Sequence, residues 1–308
     1  MIDYRLNSRY IINMRINPIS PIHIGAGEEG FVKGIVSMKI SGITLPIIPA
    51  ESIKGILRSM ATRIANSIRF NKVMYDFNID EIVKSHDKDV HTGYLEKTLK
   101  ESSGEELRRR IWKTLSSIGL SDKQISKFID EVGSREALEL SLSLLCPICL
   151  LFGSRHYAGK ILITDAIPVD QNGEIAKPEI ETRTCVSISR RYRVAEPEKL
   201  YTIQYITPRN ISFKSKMIID NVMKGDTEAK LLAYLLKHIS ENEVVIGGLK
   251  SRGFGFVKID SEIMKMKLTK PKNISDLGTI MSNIKALLMR EDAVEKLTIS
   301  QMIIDLTN

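Results

Sequence analysis

The sequence predicts an α+β fold built on a ferredoxin-like core, and three observations carry that expectation. First, apolar residues recur at helical spacing over 51–69 (Ile53, Ile56, Leu57, Met60, Ala61, Ile64, Ala65, Ile68) and again after Asp226 (Leu231, Leu232, Leu235, Leu236, Ile239). Second, β-type runs surround these helices: 10–16, 31–40, 160–169, 179–188, 200–207, 211–219 and 255–260. Third, residues 71–145 are polar, charged and helical in pattern with few strand signals, and so read as an insertion. Removing them leaves the order β, α, β strands, α, β, which is ferredoxin-like.

Taken in order, the strand 10–16 is followed by His23-Ile24-Gly25-Ala26-Gly27-Glu28-Glu29-Gly30. Gly25, Gly27 and Gly30 have the spacing of a dinucleotide fingerprint, but a helix should follow and 31–36 is β-like. Two adjacent glutamates would also repel a pyrophosphate. No nucleotide cofactor is expected, and the segment reads as a mobile loop. Helix 51–69 then places Lys54 and Arg58 four residues apart on one face. Within the insertion, Ser103 to Glu106 forms a capping box that opens a helix to about 117, with shorter helices after Ser121 and Ser134. The core is expected at 1–70 and 146–268, the insertion at 71–145, and a helical tail at 269–308 with its helix near 275–290.

The chain of 308 residues has 45 Lys plus Arg against 37 Asp plus Glu, a net charge of +8. That balance suits a polyanionic partner without requiring one. No apolar run follows a basic start, and the longest one, 138–152, is broken by serines, a glutamate and Pro147. Neither a secretory signal nor a membrane span is expected, and three cysteines make no disulfide framework, so the protein reads as soluble and cytoplasmic. Cations cluster at Arg108-Arg109-Arg110, at Arg190-Arg191-Tyr192-Arg193, at Lys214 and Lys216, and at Lys265 and Lys267. Each cluster alone is more often a solvated face; the second has a tyrosine among its arginines, suited to stacking a base while guanidinium groups hold phosphates. The run Gly247 to Gly255 leads into Arg252-Gly253-Phe254-Gly255-Phe256-Val257-Lys258-Ile259. It matches the sheet motif of RNA-recognition modules except at its last position. Here the motif follows the second helix, so Phe254 and Phe256 read as hinge and core residues. The glycine loop itself lets backbone approach a phosphate chain that Lys250 and Arg252 neutralise; the alternative is a hairpin between strands.

Four segments in this order resemble the CRISPR-associated RAMP superfamily, specifically the repeated backbone (Csm/Cmr-type) subunit of type III effector complexes. They are His23-Ile24-Gly25-Ala26-Gly27; Ile48-Pro49-Ala50-Glu51-Ser52-Ile53-Lys54-Gly55 with Leu57-Arg58; Cys149-Leu150-Leu151-Phe152-Gly153-Ser154; and the Gly247 to Gly255 loop. Arg183-Thr184-Cys185-Val186-Ser187-Ile188-Ser189-Arg190 is a weaker echo of the base of a thumb-like β-hairpin. The resemblance implies an RRM-like RAMP core that holds guide-RNA (crRNA) phosphates at Ser52, Lys54 and Arg58. It further implies RNA contacts at Lys250, Ser251 and Arg252 and at the hairpin's Arg183, Arg190, Arg191 and Arg193, with His23 and Arg155 as further candidates. The expected partners are crRNA, target single-stranded RNA, other type III subunits and stacked copies of the same chain, in antiviral defence.

Active members of the family cut target RNA with an aspartate between the first two segments. No Asp or Glu occurs from 30 to 50, and the aspartate's place aligns at about Val36. The expectation is therefore a scaffold. The alternative is a target-RNA endoribonuclease using the 23–29 loop, with His23, Glu28 or Glu29 as base, and a third reading is a stand-alone RNA chaperone.

Cys146-Pro147-Ile148-Cys149 is a CxxC pair, and His86 and His91 lie in the insertion. Thiolate and imidazole ligands of this kind can complete a tetrahedral structural zinc site. The resemblance implies a zinc at this place, while Asp87 and Asp89 are possible replacements for the histidines. The alternative is two small buried cysteines and two surface histidines. Cys185 reads as a buried free thiol, and His156 as a surface residue.

Overall fold

The computed structural model describes residues 6–29, 32–87, 90–188, 195–270, 276–289 and 294–307. Strand β1 (Ser8–Pro18) opens it, followed by the hairpin β2 (Gly25–Glu29) and β3 (Val32–Ile35) and the short pair β4 (Ser37–Ile40) and β5 (Ile43–Pro46). Helix α1 (Ala50–Ser67) leads through β6 (Val73–Met74) and β7 (Phe77–Asn78) into α2 (Ile79–Lys84), α3 (Thr92–Glu101), α4 (Gly104–Ser117), α5 (Asp122–Val132), α6 (Ser134–Leu145) and α7 (Pro147–Phe152). Strands return as β8 (Ile161–Ile163), β9 (Ile167–Val169), β10 (Ile180–Ile188), β11 (Ala195–Ile206) and β12 (Ser212–Asp220). The remainder is α8 (Thr227–Glu241), β13 (Val244–Val245), a 3-10 turn (Lys250–Arg252), β14 (Phe256–Lys267), α9 (Leu277–Leu287), β15 (Glu295–Leu297) and α10 (Ile299–Thr307).

The main sheet runs β13-β14-β1-β12-β8, with β15 on β14 and β9 on β12. Every one of its pairs is antiparallel. β1 holds the centre: Tyr10, Ile12, Met14 and Ile16 are buried on one face, Ile12 lies between Met217 and Ile263, and Ile11 is buried on the other face as well. The opposite face carries charge, with Asn13 between Lys216 and Glu262 and Arg15 between Lys214 and Asp260. Helices α1 and α8 cover the apolar face, burying Ile53, Leu57, Ala61 and Ala65 from one, and Leu231, Leu232, Leu235 and Leu236 from the other. One hydrophobic cluster extends from Tyr10 through the α2–α6 helices (Ile82, Ile111, Ile129, Leu142) to Leu306.

A second sheet, β10-β11-β3-β2, joins the long hairpin to the segment after β1. The glycine stretch 25–29, read from sequence as a loop, is thus a paired strand. The run 31–40, expected as one strand, divides at Val36. There the backbone turns to join two partners, its N–H donating to the Ile24 carbonyl at 2.9 Å and its carbonyl accepting from Ile47 at 3.1 Å. Only half of the expected box at Ser103 forms: its hydroxyl accepts from Glu106 N–H at 3.2 Å, but the Glu106 carboxylate turns to Arg110 at 2.9 Å. Gln124 supplies the missing reciprocity one helix later, accepting from Ser121 N–H at 2.9 Å. The final helix α10 went unseen in the sequence; Met302 and Leu306 are buried, and Asp305 accepts from Tyr10 and Lys265. Lys265, one of the cationic clusters, is therefore spent on an ion pair.

The glycine loop shows why its glycines are needed. Gly247 has φ +83°, and a Cβ there would sit 2.4 Å from the His23 carbonyl oxygen; Gly255 has φ +85°, and a Cβ there would meet the Ile246 oxygen at 2.0 Å. Both serve a crossing of the chain over itself, whereas the sequence suggested approach to a ligand. Gly255→Ala should destabilise the protein by at least about 2 kcal/mol through backbone strain and overpacking, measured as a lower urea midpoint. An unchanged midpoint would show that the loop can move aside.

Candidate metal centre and nucleic-acid interface

His86, His91, Cys146 and Cys149 are all buried, and their ligand atoms lie within 4.8 Å of one another. His86 follows the C-terminus of α2, His91 caps α3, and the cysteines flank the first turn of α7. The His86 Nδ1 is 3.4 Å from His91 Nε2, 3.7 Å from Cys146 Sγ and 3.6 Å from Cys149 Sγ, and His91 Nε2 is 3.7 Å from Cys149 Sγ. A tetrahedral zinc with Zn–N of about 2.0–2.1 Å and Zn–S of about 2.3 Å has edges of about 3.4 Å between nitrogens and about 3.6 Å between nitrogen and sulfur. The donor set fits that geometry. The other nitrogen of His91 donates to Glu139 Oε1 at 3.0 Å, which orients the ring with Nε2 toward the thiols.

The electrostatics ask for a cation. Burial raises the Cys146 thiol, but hydrogen bonds from Cys149, His86 and His91 outweigh it and hold Cys146 well below the usual range. The Cys146 thiolate, with burial, in turn pushes Cys149 up. Burial lowers the His91 imidazole, yet Cys146 and Glu139 outweigh it and raise it to about 9. One negative charge is all the bare pair can carry; a dication lets both thiols ionise.

A second constellation lies where the second sheet meets the glycine loop. The Tyr201 ring has the Lys33 ammonium 5.1 Å from its centroid and the Arg252 guanidinium at 5.7 Å. Arg252 also donates to the Tyr201 hydroxyl. Cys185 pairs with Tyr201 across β10 and β11, and exposed Arg183 pairs with Ile203 on the same face. Cys185 is half-buried here, not a core thiol. Lys250 and Ser251 are exposed on the adjacent turn. Phe254, by contrast, is buried edge-on against Tyr205, a core residue as the sequence suggested. Sequence reading missed Lys33 and Tyr201, because nothing in a strand marks two residues as neighbours of an arginine more than 50 positions away.

The family model of the RAMP superfamily matches residues 15–258. The chain belongs to the RAMP superfamily. Membership implies a CRISPR-associated, RNA-binding role. A search of curated proteins found no match. Among the described residues no helix is long and apolar enough to cross a membrane.

The residues that the RAMP resemblance singled out occupy different environments. Ser52 and Lys54 are half-buried on the first turns of α1, where burial and then the Arg58 charge lower the Lys54 ammonium. Arg58 donates to the Gly153 carbonyl at 2.7 Å and its charge acts on Cys149, so it ties α1 to the metal-ligand helix. The α1 N-terminus is itself occupied: Ala50 N–H donates to Asp165 Oδ1 at 2.7 Å. His23, a candidate base or RNA contact, is turned into the fold. It is 6% exposed, its Nδ1 donates to the Gln204 carbonyl at 2.7 Å, and its own carbonyl accepts from Gly248, which locks the glycine loop to β11. His156 is half-buried, its Nε2 3.3 Å from Glu136. Arg155 is exposed just beyond α7. Arg190, Arg191 and Arg193, and the side chains of Glu28 and Glu29, lie outside the described residues.

Proposed function

We propose that this RAMP protein is a guide-RNA-binding backbone subunit of a type III CRISPR interference complex, acting as scaffold. The observation that carries the reading is the Lys33–Tyr201–Arg252 face beside the glycine loop: cations for phosphates flank an aromatic ring for a base. Strand order β14-β1-β12-β8 with α1 and α8 on one face supports a ferredoxin-like core at 1–70 and 146–268, with 71–145 inserted and 269–308 as tail. The β10–β11 hairpin is the counterpart of a thumb that interrupts guide–target pairing. The partners are crRNA, target RNA, other type III subunits and further copies of this chain. Zinc at His86, His91, Cys146 and Cys149 pins the inserted helices to α7. Purified protein should bind labelled single-stranded RNA with an affinity that falls steeply with salt. Absent or salt-independent binding overturns the proposal.

The scaffold role rests on the position aligned with the family's aspartate. Val36 packs against the core, and Asp165, which caps the start of α1, is engaged by Ala50 N–H. Valine has no group that can take a proton from a 2′-hydroxyl. In a reconstituted complex, target RNA should stay whole opposite this subunit even where sister subunits cut. Loss of one particular cut on Glu28→Ala with Glu29→Ala, with assembly intact, would establish the endoribonuclease alternative.

A further inference from the structure

A groove of about 580 Å³ lies between the C-terminal end of α1, α8 and α10, lined by Phe70, Lys72, Lys230, Tyr234, Lys237 and Leu306 among others. Helix α1 has 18 residues, a length of about 27 Å. The groove therefore opens at the other end of that helix from Ser52 and Lys54, and shares no lining residue with the Lys33–Tyr201–Arg252 face.

Its chemistry is unspent. Tyr234 is 45% exposed on a helix whose neighbouring Leu231, Leu232, Leu235 and Leu236 are buried. Among the described residues its hydroxyl makes no hydrogen bond, and the ammonium groups of Lys72 and Lys237 have no acceptor or ion pair. Lys230, Tyr234 and Lys237 follow at i, i+4 and i+7 and share one face of α8. Lys230 is already placed: it donates to the Arg69 carbonyl at 2.8 Å and stands 5.8 Å from the Phe70 ring centroid. The one carboxylate on the lining, Asp226, is engaged by Met223 N–H at 2.9 Å and lies 3.9 Å from Lys160.

We propose that this groove binds a nucleotide unit, its base against Tyr234 and Phe70 and its phosphate between Lys72 and Lys237. Aromatic faces and unpaired ammonium groups in one groove select a base joined to a phosphate. An acidic peptide would use the lysines and leave the rings idle. The unit comes either from a single strand passing the subunit or from a free nucleotide, and both present the same chemistry.

Two probes separate these sources on the full chain. AMP binding is followed by ligand-detected NMR, and a hexauridylate carrying 4-thiouridine is cross-linked by light and its sites mapped. Contact of AMP with the groove, or cross-links to α8 at Tyr234, supports the proposal; AMP alone identifies a free nucleotide, and cross-links alone identify a strand. Tyr234→Ala and the pair Lys72→Ala with Lys237→Ala should each weaken the supported interaction about tenfold, while Tyr234→Phe should leave it intact. AMP binding that is lost in Lys33→Ala with Arg252→Ala but kept in Tyr234→Ala belongs to the interface and overturns the proposal, whereas the RNA affinity of that pair tests the interface reading separately. Absence of both signals, or wild-type behaviour of Tyr234→Ala, or equal displacement by polyglutamate, overturns the proposal.

Discussion

Cys146→Ser with Cys149→Ser should yield protein that purifies without zinc and has lost more than about 4 kcal/mol of stability, because the metal's binding free energy is folding free energy here. The loss should be local. His86 and His91 enter from either side of the α2–α3 connection, and the cysteines from α7, so a metal held by them would cross-link segments far apart in sequence. Hydrogen exchange should quicken first in α2, α3 and α6, while β1, β12 and β14 keep their protection. Acid should act in the same direction. Zinc needs neutral imidazoles and two thiolates, yet in the metal-free site His91 is raised to about 9 and the Cys149 thiol is pushed up by its partner. Both groups give up a proton when metal enters. Zinc affinity measured by chelator competition should therefore rise steeply with pH through neutrality and less steeply above the His91 value, where only the Cys149 proton remains to be displaced. Wild-type protein that is metal-free with these helices still protected, or a flat pH profile, would refute the centre.

Lys33→Ala with Arg252→Ala should weaken single-stranded RNA binding across all sequences and flatten its dependence on salt. Each phosphate contact removed lowers the slope of log affinity against log salt by about 0.7 for a single strand. Tyr201 separates charge from stacking. Tyr201→Ala should cost about 1–3 kcal/mol of binding with the salt slope unchanged, and Tyr201→Phe should retain most of the affinity because the ring face remains. Lys54→Ala is a cleaner probe of α1 than Arg58→Ala, since Arg58 also holds Gly153 and faces the metal thiolate. RNA binding by the Lys33/Arg252 double variant that matches wild type at every salt concentration would remove the interface.

Much of the architecture was legible because local pattern and tertiary demand agree. The apolar positions of α1 and α8 are the ones buried, and the alternation in β1 is the alternation of a central strand. The CxxC pair and the histidines were legible as ligand chemistry, because few other roles put those residue types together. The five quoted segments carried the family, since their order along the chain is itself information that no single short motif holds.

What the sequence alone determined was therefore composition, periodicity and family, together with a set of candidate metal ligands. Only the tertiary structure decided which of these residues meet. His23 had the look of a free loop base, but a strand pairing and two backbone hydrogen bonds turned it inward. The resemblance gave Arg58 a phosphate-holding role, and the turn at Gly153 adds a carbonyl partner 2.7 Å from it. Lys33 and Tyr201 carried no signal at all until the parallel pairing of β3 with β11 set them side by side. The physical reason is that period and propensity act over a few residues, whereas contacts between strands depend on register across the whole chain.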